Sequence, residues 1–384
     1  MAENVLTGLV PVIYQAVDRV VRELTGAIPA CTLDAKAEMA AVGQNITTFV
    51  TPAAAAEDIT PSQLPPDTGN QTIAPLSVTI TKSRGVAIRW TGEHMLSVST
   101  KSGGVGAERV LVDQATQAMR TLVNEIEVDL CAAAVKGASR ATGTAGTTPF
   151  ATVDNAADLL KIFKDNGAPI SDLQTVINTT TGAKLRKIAN LYKANEAGGD
   201  ALLRQGIIAN LMGLDIRESA GLAAVTKGTG AAYVTSGTYA IGATAITLIT
   251  GTGTVLAGDV VTFAGDTNKY VVATALTGGV VTLAAPGLVQ TLASGVAMTV
   301  GDSYTPNVAF HRSSLVLLAR QPAVPIVNGS PLDSAADRLL VTDPQTGLTF
   351  EFAAYLEHRR VHYTVGMAWG VGSIKPNFTV LLLG

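Results

Sequence analysis

Apolar positions change their spacing several times along the 384 residues, and each change marks an element. Leu6, Leu9, Val10, Ile13, Val17, Val20, Val21 and Leu24 recur at steps of three and four, which paints one face of an N-terminal helix. Pro11 kinks or divides that helix. Residues 51–75 hold Pro52, Pro61, Pro65, Pro66 and Pro75 among Ala, Thr, Asp and Gly, a composition that predicts a linker or loop tip. Then the period drops to two: Leu76, Val78 and Ile80 alternate with polar residues, and Val86, Ile88 and Trp90 do the same. Together residues 51–100 predict a long two-stranded arm. A lone hairpin is barely stable in water, so such an arm is expected to lie on a neighbour.

Residues 104–136 give the clearest helix. Leu111, Ala115, Ala118, Leu122, Ile126 and Leu130 form its stripe, with Asp113, Gln117, Arg120, Asn124 and Glu127 off it. At 1.5 Å per residue this is roughly 45–50 Å of helix, long for a globular domain. Residues 137–148, rich in Gly, Ser, Ala and Thr, end it.

Residues 151–224 read as mixed α/β. Asp154 is expected to cap a helix through Phe163, Leu173 to Ile177 to form a strand, and 181–196 a second helix before the Gly198-Gly199 turn. Between Val225 and Ser303 only Lys227, Asp259, Asp266, Lys269 and Asp302 are charged. Short β-rich runs recur there between glycine turns: Ile246–Ile249, Val260–Ala264, Tyr270–Ala273, Val280–Leu283 and Val296–Val300. That rhythm predicts a small β-barrel or sandwich inserted between α/β flanks. Residues 304–384 read mostly as strands, at Leu315–Leu318, Thr349–Phe352, His362–Trp369 and Thr379–Leu383.

Composition sharpens this picture. Hydrophobic residues are 47% and charged residues 15%, against a globular norm of roughly 25% charged. A chain of this length exceeds one core, and with so few charges it is suited to burying outer surface against neighbours. A net charge of −3 argues against a dedicated nucleic-acid binder. Cys31 and Cys131 are far apart with no CxxC spacing, so they read as reduced thiols in a protein made in the cytoplasm. No signal-peptide pattern opens the sequence, and the uncharged stretches are broken by Gly and Thr, so neither secretion nor a membrane partner is expected.

Chemistry is hard to find. Walker A, HExxH and GxSxG patterns are missing, and Gly251-Thr252-Gly253 lacks the third glycine and the following helix of a dinucleotide loop. His358 and His362, beside Glu357, are the one close histidine pair. Read as a strand they lie about 13 Å apart, too far for one metal, and Arg359 and Arg360 repel a cation. His94 and His311 stand alone, and no catalytic residue, cofactor or metal is expected. Lys82, Arg84, Arg89 and Glu93 on the predicted arm form either a solvated face or salt bridges to an adjacent subunit.

The order of elements resembles the Hong Kong 97-type phage capsid fold: helical arm, Pro-rich extended arm, long spine helix, α/β lobe, β insert and closing strands. Within it the chain resembles the coat proteins of short-tailed Salmonella-type phages, which carry an extra β-barrel. The series of stretches that carries the likeness is Gly213–Ser219 (GLDIRES) ahead of the insert, Thr226–Thr229 (TKGT) leading into it, Gly258–Gly265 (GDVVTFAG) inside it, Leu317–Pro322 (LLARQP) on the return, and Trp369–Pro376 (WGVGSIKP) near the end.

The resemblance implies an α+β chain divided as an N-terminal arm, 1–50; an extended loop, 51–103; the spine helix and start of a peripheral domain, 104–150; a peripheral and axial domain, 151–224; the inserted barrel, 225–303; and closing strands, 304–384. It implies a major capsid protein, not an enzyme, that forms hexamers and pentamers of itself in an icosahedral shell. Its partners would be a scaffolding protein, a portal at one vertex and packaged double-stranded DNA held by proximity. The shell would start as a procapsid and expand, with Gly103-Gly104 and Gly198-Gly199 as hinges. Leu6, Val10, Val17, Lys82, Arg84, Arg89, Trp90 and Glu93 are the candidate interface residues. The competing readings are the shell of a cellular nanocompartment, a secreted β-rich adhesion or binding protein, and an enzyme built on His358 and His362.

Overall fold

The computed structural model describes residues 25–50, 74–101, 106–188, 210–327, 330–343 and 346–384. The chain is α+β and mostly sheet. Its first half runs β1 (Thr32–Ala40), β2 (Asn45–Val50), β3 (Ala74–Thr79), β4 (Lys82–Thr91), α1 (Gly92–Lys101), α2 (Gly106–Lys136), β5 (Arg140–Gly143), α3 (Asp154–Asp165), β6 (Leu173–Ile177), α4 (Thr179–Leu185), β7 (Asn210–Leu211) and β8 (Leu214–Glu218). Then follow β9 (Tyr233–Thr235), β10 (Ala245–Ile249), β11 (Val260–Phe263), β12 (Lys269–Thr277), β13 (Val280–Leu283) and β14 (Ala297–Val300). The chain closes through β15 (Pro306–His311), β16 (Leu315–Pro322), β17 (Ile326–Val327), β18 (Ser330–Pro331), β19 (Ala335–Thr342), β20 (Thr349–Glu357), β21 (Arg360–Ser373) and β22 (Thr379–Leu383).

Two sheets share the long helix α2. One has the order β1-β16-β21-β20-β19, with β4 also on β21. The other runs from β5 through β22, β15, β6 and β8 to β7. Strand β22 shows how packing is divided: Leu381 and Leu383 join the core under α2, while Val380 and Leu382 join a second core under α3 with Phe150, Leu159 and Phe163. Alternation along a strand sends successive side chains to opposite faces, so a strand covered on both sides is apolar throughout. The whole of β22 is buried accordingly.

Strands β9 to β14 close on themselves, because β11 pairs both β14 and β12. The result is a six-stranded barrel filled by Ile246, Val261, Phe263, Tyr270, Val272, Val281, Leu283 and Met298. A backbone bridge between Val225 and Tyr304 brings together the chain entering and leaving this region. The barrel continues into the body sheet where Lys269 and Tyr270 pair with Ala141 and Arg140.

Several expectations change. The two alternating runs at 76–80 and 86–91 do not pair with each other. Strand β3 pairs with β2, from Asn45 opposite Thr79 to Val50 opposite Ala74, while β4 pairs with β21 over its full length. Alternation assigns faces and is silent about partners, so the ribbon is built from one run on each side of the proline-rich tip. Within the stretch 1–50, read as an N-terminal arm, Thr32–Ala40 and Asn45–Val50 are strands, and β1 lies parallel to β16. Asp154 is the first helical residue and not the cap; Val153 holds the cap position without a side-chain bond. The second helix of the lobe is Thr179–Leu185, capped by Asn178, whose side chain accepts from the Thr181 N–H at 2.7 Å. The N-terminal run from Leu6 to Leu24, the tip 51–73 and both glycine pairs named as hinges lie outside the described residues.

Candidate assembly surface

Among the described residues the ribbon β2–β3 makes strand pairings only within itself, as a separate two-stranded sheet. Its base is anchored where Val78 and Ile80, both buried, pack with Ala40, Leu318 and Ala368. Gly370 and Gly372 make room for it: a Cβ on Gly370 would strike the Thr79 carbonyl oxygen, and one on Gly372 would meet the Val78 side chain at 3.0 Å. Outward from this base Asn45, Thr47, Pro75 and Ser77 are exposed. Six residues per strand give the ribbon a length of about 20 Å.

Immediately after the ribbon, Lys82 bonds both Glu125 (3.0 Å) and Asp129 (2.9 Å) on α2. Partial burial works against its ammonium, but the two carboxylates outweigh that and hold its pKa above the ordinary value. Arg84 reaches Glu125 at 3.1 Å, and Asp129 also accepts the Trp369 indole N–H at 2.9 Å. These contacts tie the foot of the ribbon to the long helix of the same chain. The carboxylates on α2 carried no signal in sequence, since charges on a helix default to solvent.

The remaining candidates gather at the other end of β4. Trp90 is buried, and its Nε1 donates to Gln114 on α2 at 2.7 Å. Arg89 is exposed, and Glu93 lies in the first turn of α1. Here the start of α1 and the β20–β21 turn wall an open groove of about 900 Å³ lined by Trp90–Met95 and Leu356–Val361. His358 sits in that turn and not on a strand; the turn closes through Arg359, which holds a positive φ of 56°. His362 on β21 lies 3.6 Å from Glu357, which also pairs with Arg360. Among the described residues no group of three or more His, Cys, Asp or Glu could hold a metal ion. Leu6, Val10 and Val17 lie outside the described residues.

One buried site escaped the sequence altogether. Glu127, expected on the solvent side of its helix, is 2% exposed. Its Oε1 accepts the Gly26 and Ala27 N–H groups at 2.8 and 2.7 Å, and Oε2 accepts that of Ile28 at 3.0 Å. Burial, reinforced by this charge, pushes the thiols of Cys31 and Cys131 up to about 12. They are inert packing groups and not nucleophiles.

Large apolar side chains are exposed chiefly on projecting turns and short elements: Val42 between β1 and β2, Leu96 on α1, Ile326 and Leu332 about β17–β18, and Leu356 at the end of β20. No helix among the described residues is long and apolar enough to cross a membrane.

No protein-family profile matches the chain, and no curated protein does. Among solved structures, one from Mycobacterium phage Che8 is 13% identical, covering 95% of this chain and 90% of that one with a TM-score of 0.46. The capsid of cyanophage P-SCSP1u is 12% identical, covering 92% and 86%, with a TM-score of 0.49. A virus-like particle from Pyrococcus furiosus is 11% identical, covering 97% and 96%, with a TM-score of 0.42.

Proposed function

We propose that this chain is a major capsid protein of the Hong Kong 97 type, the repeating subunit of an icosahedral shell around a phage double-stranded DNA genome. The observation that carries the reading is the β2–β3 ribbon, which leaves the body with its base buried and its length paired only to itself. Two strands alone do not hold together well in water, so the ribbon gains its missing burial from another molecule. Copies of the same chain supply that surface most simply, and a contact between unlike surfaces repeats into rings.

The rest of the architecture is consistent with this use. The long helix forms a stiff beam, apolar side chains stand on the projections, and the closed barrel hides its edges, with the sequence resemblance to short-tailed Salmonella-type coats as its parallel. On this reading the subunit acts as a structural protein of the virion, assembles in the host cytoplasm with a scaffolding protein and a portal, and expands from a procapsid.

Electron microscopy and sedimentation of the purified chain, alone and co-expressed with a scaffolding protein, test the proposal. Closed shells of uniform size are expected. Monomers under every condition would overturn it, and shells loaded with an enzyme in place of a genome would move it to the nanocompartment reading.

A further inference from the structure

Where the barrel meets the body, the loop ahead of β12, the strand β5 and the helix α3 enclose a cleft of about 200 Å³. Three cations stand in its lining, Arg140, Lys161 and Lys269, against one carboxylate, Asp158. The Arg140 side chain is 3% exposed, yet no carboxylate pairs with it closely. Asp165 lies 3.8 Å away and is held more tightly by Lys161, at 2.9 Å. The guanidinium donates instead to neutral oxygens: the Asn166 side chain at 2.7 Å, the Asn268 side chain at 3.3 Å and the Ile162 carbonyl at 3.4 Å. Its Nε finds no acceptor among the described residues. Burial holds the pKa of Arg140 below its ordinary value, with Asp165 and Asp266 too weakly placed to offset it. A buried cation without a close counter-ion is destabilising, and an anion in the adjoining cleft relieves that.

The other groups on the walls are donors. The Lys269 ammonium donates to the Gly143 carbonyl and has no carboxylate partner among the described residues. Thr142 on β5 and Thr267 on the barrel loop bring hydroxyls that make no hydrogen bond among the described residues. Of the nearby carboxylates, Asp165 is neutralised by Lys161, and Asp266 accepts from the Tyr270 hydroxyl at 2.5 Å and from both nitrogens of Asn268. Asp158 is exposed on the helix. Ammonium, guanidinium and hydroxyl groups from opposite walls suit an ion that carries several acceptor oxygens better than a halide. We propose that this cleft binds a phosphate-sized oxyanion, which neutralises Arg140 and ties the barrel loop 266–269 to β5 and α3. The site lies within one chain and stands whether or not the shell reading does.

Calorimetric titration of the full-length chain with inorganic phosphate, at fixed ionic strength with chloride as the control, tests this. Saturable binding at one site per chain is expected, with an unfolding midpoint that climbs as phosphate is added and stays flat in chloride. Lys269→Gln should weaken the affinity about tenfold, and Asp158→Asn, which takes the one carboxylate out of the lining, should tighten it about threefold. Neither side chain is buried, so both variants are expected to fold. Hydrogen exchange supplies the location: phosphate should slow exchange at 140–143 and 266–269 in wild type and much less in Lys269→Gln. A short DNA duplex that displaces phosphate would make a nucleic-acid backbone the source of the phosphoryl group, and a duplex without effect would leave the free ion; either result supports the site. No saturable phosphate binding, equal affinity in wild type and both variants, or protection confined to another part of the chain overturns it.

Discussion

The hydroxyl of Ser219 donates to the carboxylate of Glu127 at 2.6 Å, closing a buried ring of four donors around one side chain. Three are consecutive backbone N–H groups from Gly26 to Ile28, so the segment after residue 24 is pinned to the middle of the long helix. Replacing Glu127 by Ala strands all three amides in an apolar interior. A loss of about 3 kcal/mol or more is expected, and Glu127→Gln, which keeps one carbonyl acceptor, should lose roughly half of that. Urea unfolding of the dissociated subunit measures both, and near-wild-type midpoints would refute the clasp.

Alkaline pH should weaken the subunit through its thiols. Cys31 and Cys131 are held protonated to about 12, whereas in the unfolded chain they ionise from an ordinary value of 9.0. Between those limits the unfolded state holds fewer protons than the folded state, so stability falls as pH rises. The slope is up to about 1.4 kcal/mol per pH unit for each thiol, and the contribution is complete below pH 9. Unfolding midpoints from pH 8 to 11 should decline in wild type, and more shallowly in a Cys31→Ser, Cys131→Ser chain. Thiol reagents at pH 8 should label the native protein slowly and the unfolded chain at once.

Gly370→Ala should separate assembly from folding. Its Cβ would collide with the Thr79 carbonyl, which belongs to the foot of the ribbon, so the ribbon must shift while the core under β21 stays filled. Particle yield is expected to fall at least tenfold with about 1–2 kcal/mol lost from the monomer. Equal loss in both readouts would argue that the ribbon is only a piece of the body.

The barrel junction offers a fourth test. Tyr304 is buried, and its hydroxyl donates to the Gly258 carbonyl at 2.6 Å beside the Val225–Tyr304 bridge. Burial pushes its pKa upward, followed by the nearby Asp259 charge, so the phenol stays a donor at any ordinary pH. Tyr304→Phe leaves that carbonyl without the bond, for about 1–2 kcal/mol. Hydrogen exchange should rise first at residues 255–260, and uniform exchange across the chain would count against a local role.

Much of this architecture is legible in the sequence because it is local. Val280–Leu283 and Thr379–Leu383 are strands with the bounds their apolar runs suggest, and α2 begins two residues inside the expected 104–136 and ends with it at Lys136. What is not local is not legible. Val78 and Ile80 alternate as cleanly as Ile88 and Trp90, yet one pair anchors a ribbon and the other lies in a body sheet, since the partners are far away in sequence. Glu127 looked solvated because helix periodicity places it off the stripe; only the chain at 26–28 arriving from a distance makes a buried carboxylate acceptable there. The groove shared by Trp90 and Arg360 needs β4 and β21 side by side, a pairing between residues about 270 apart in sequence.

The barrel is joined to the body sheet by the two-residue ladder of Lys269 and Tyr270 with Ala141 and Arg140, and to its own flanks by the single Val225–Tyr304 bridge. Arg140 to Asn268, the Lys269 ammonium to the Gly143 carbonyl, and Val260 and Val271 in the core under α2 add to this junction. A barrel closed by six strands has no free edge from which to unzip, so a pull on the chain that flanks it meets a unit that can yield only as a whole.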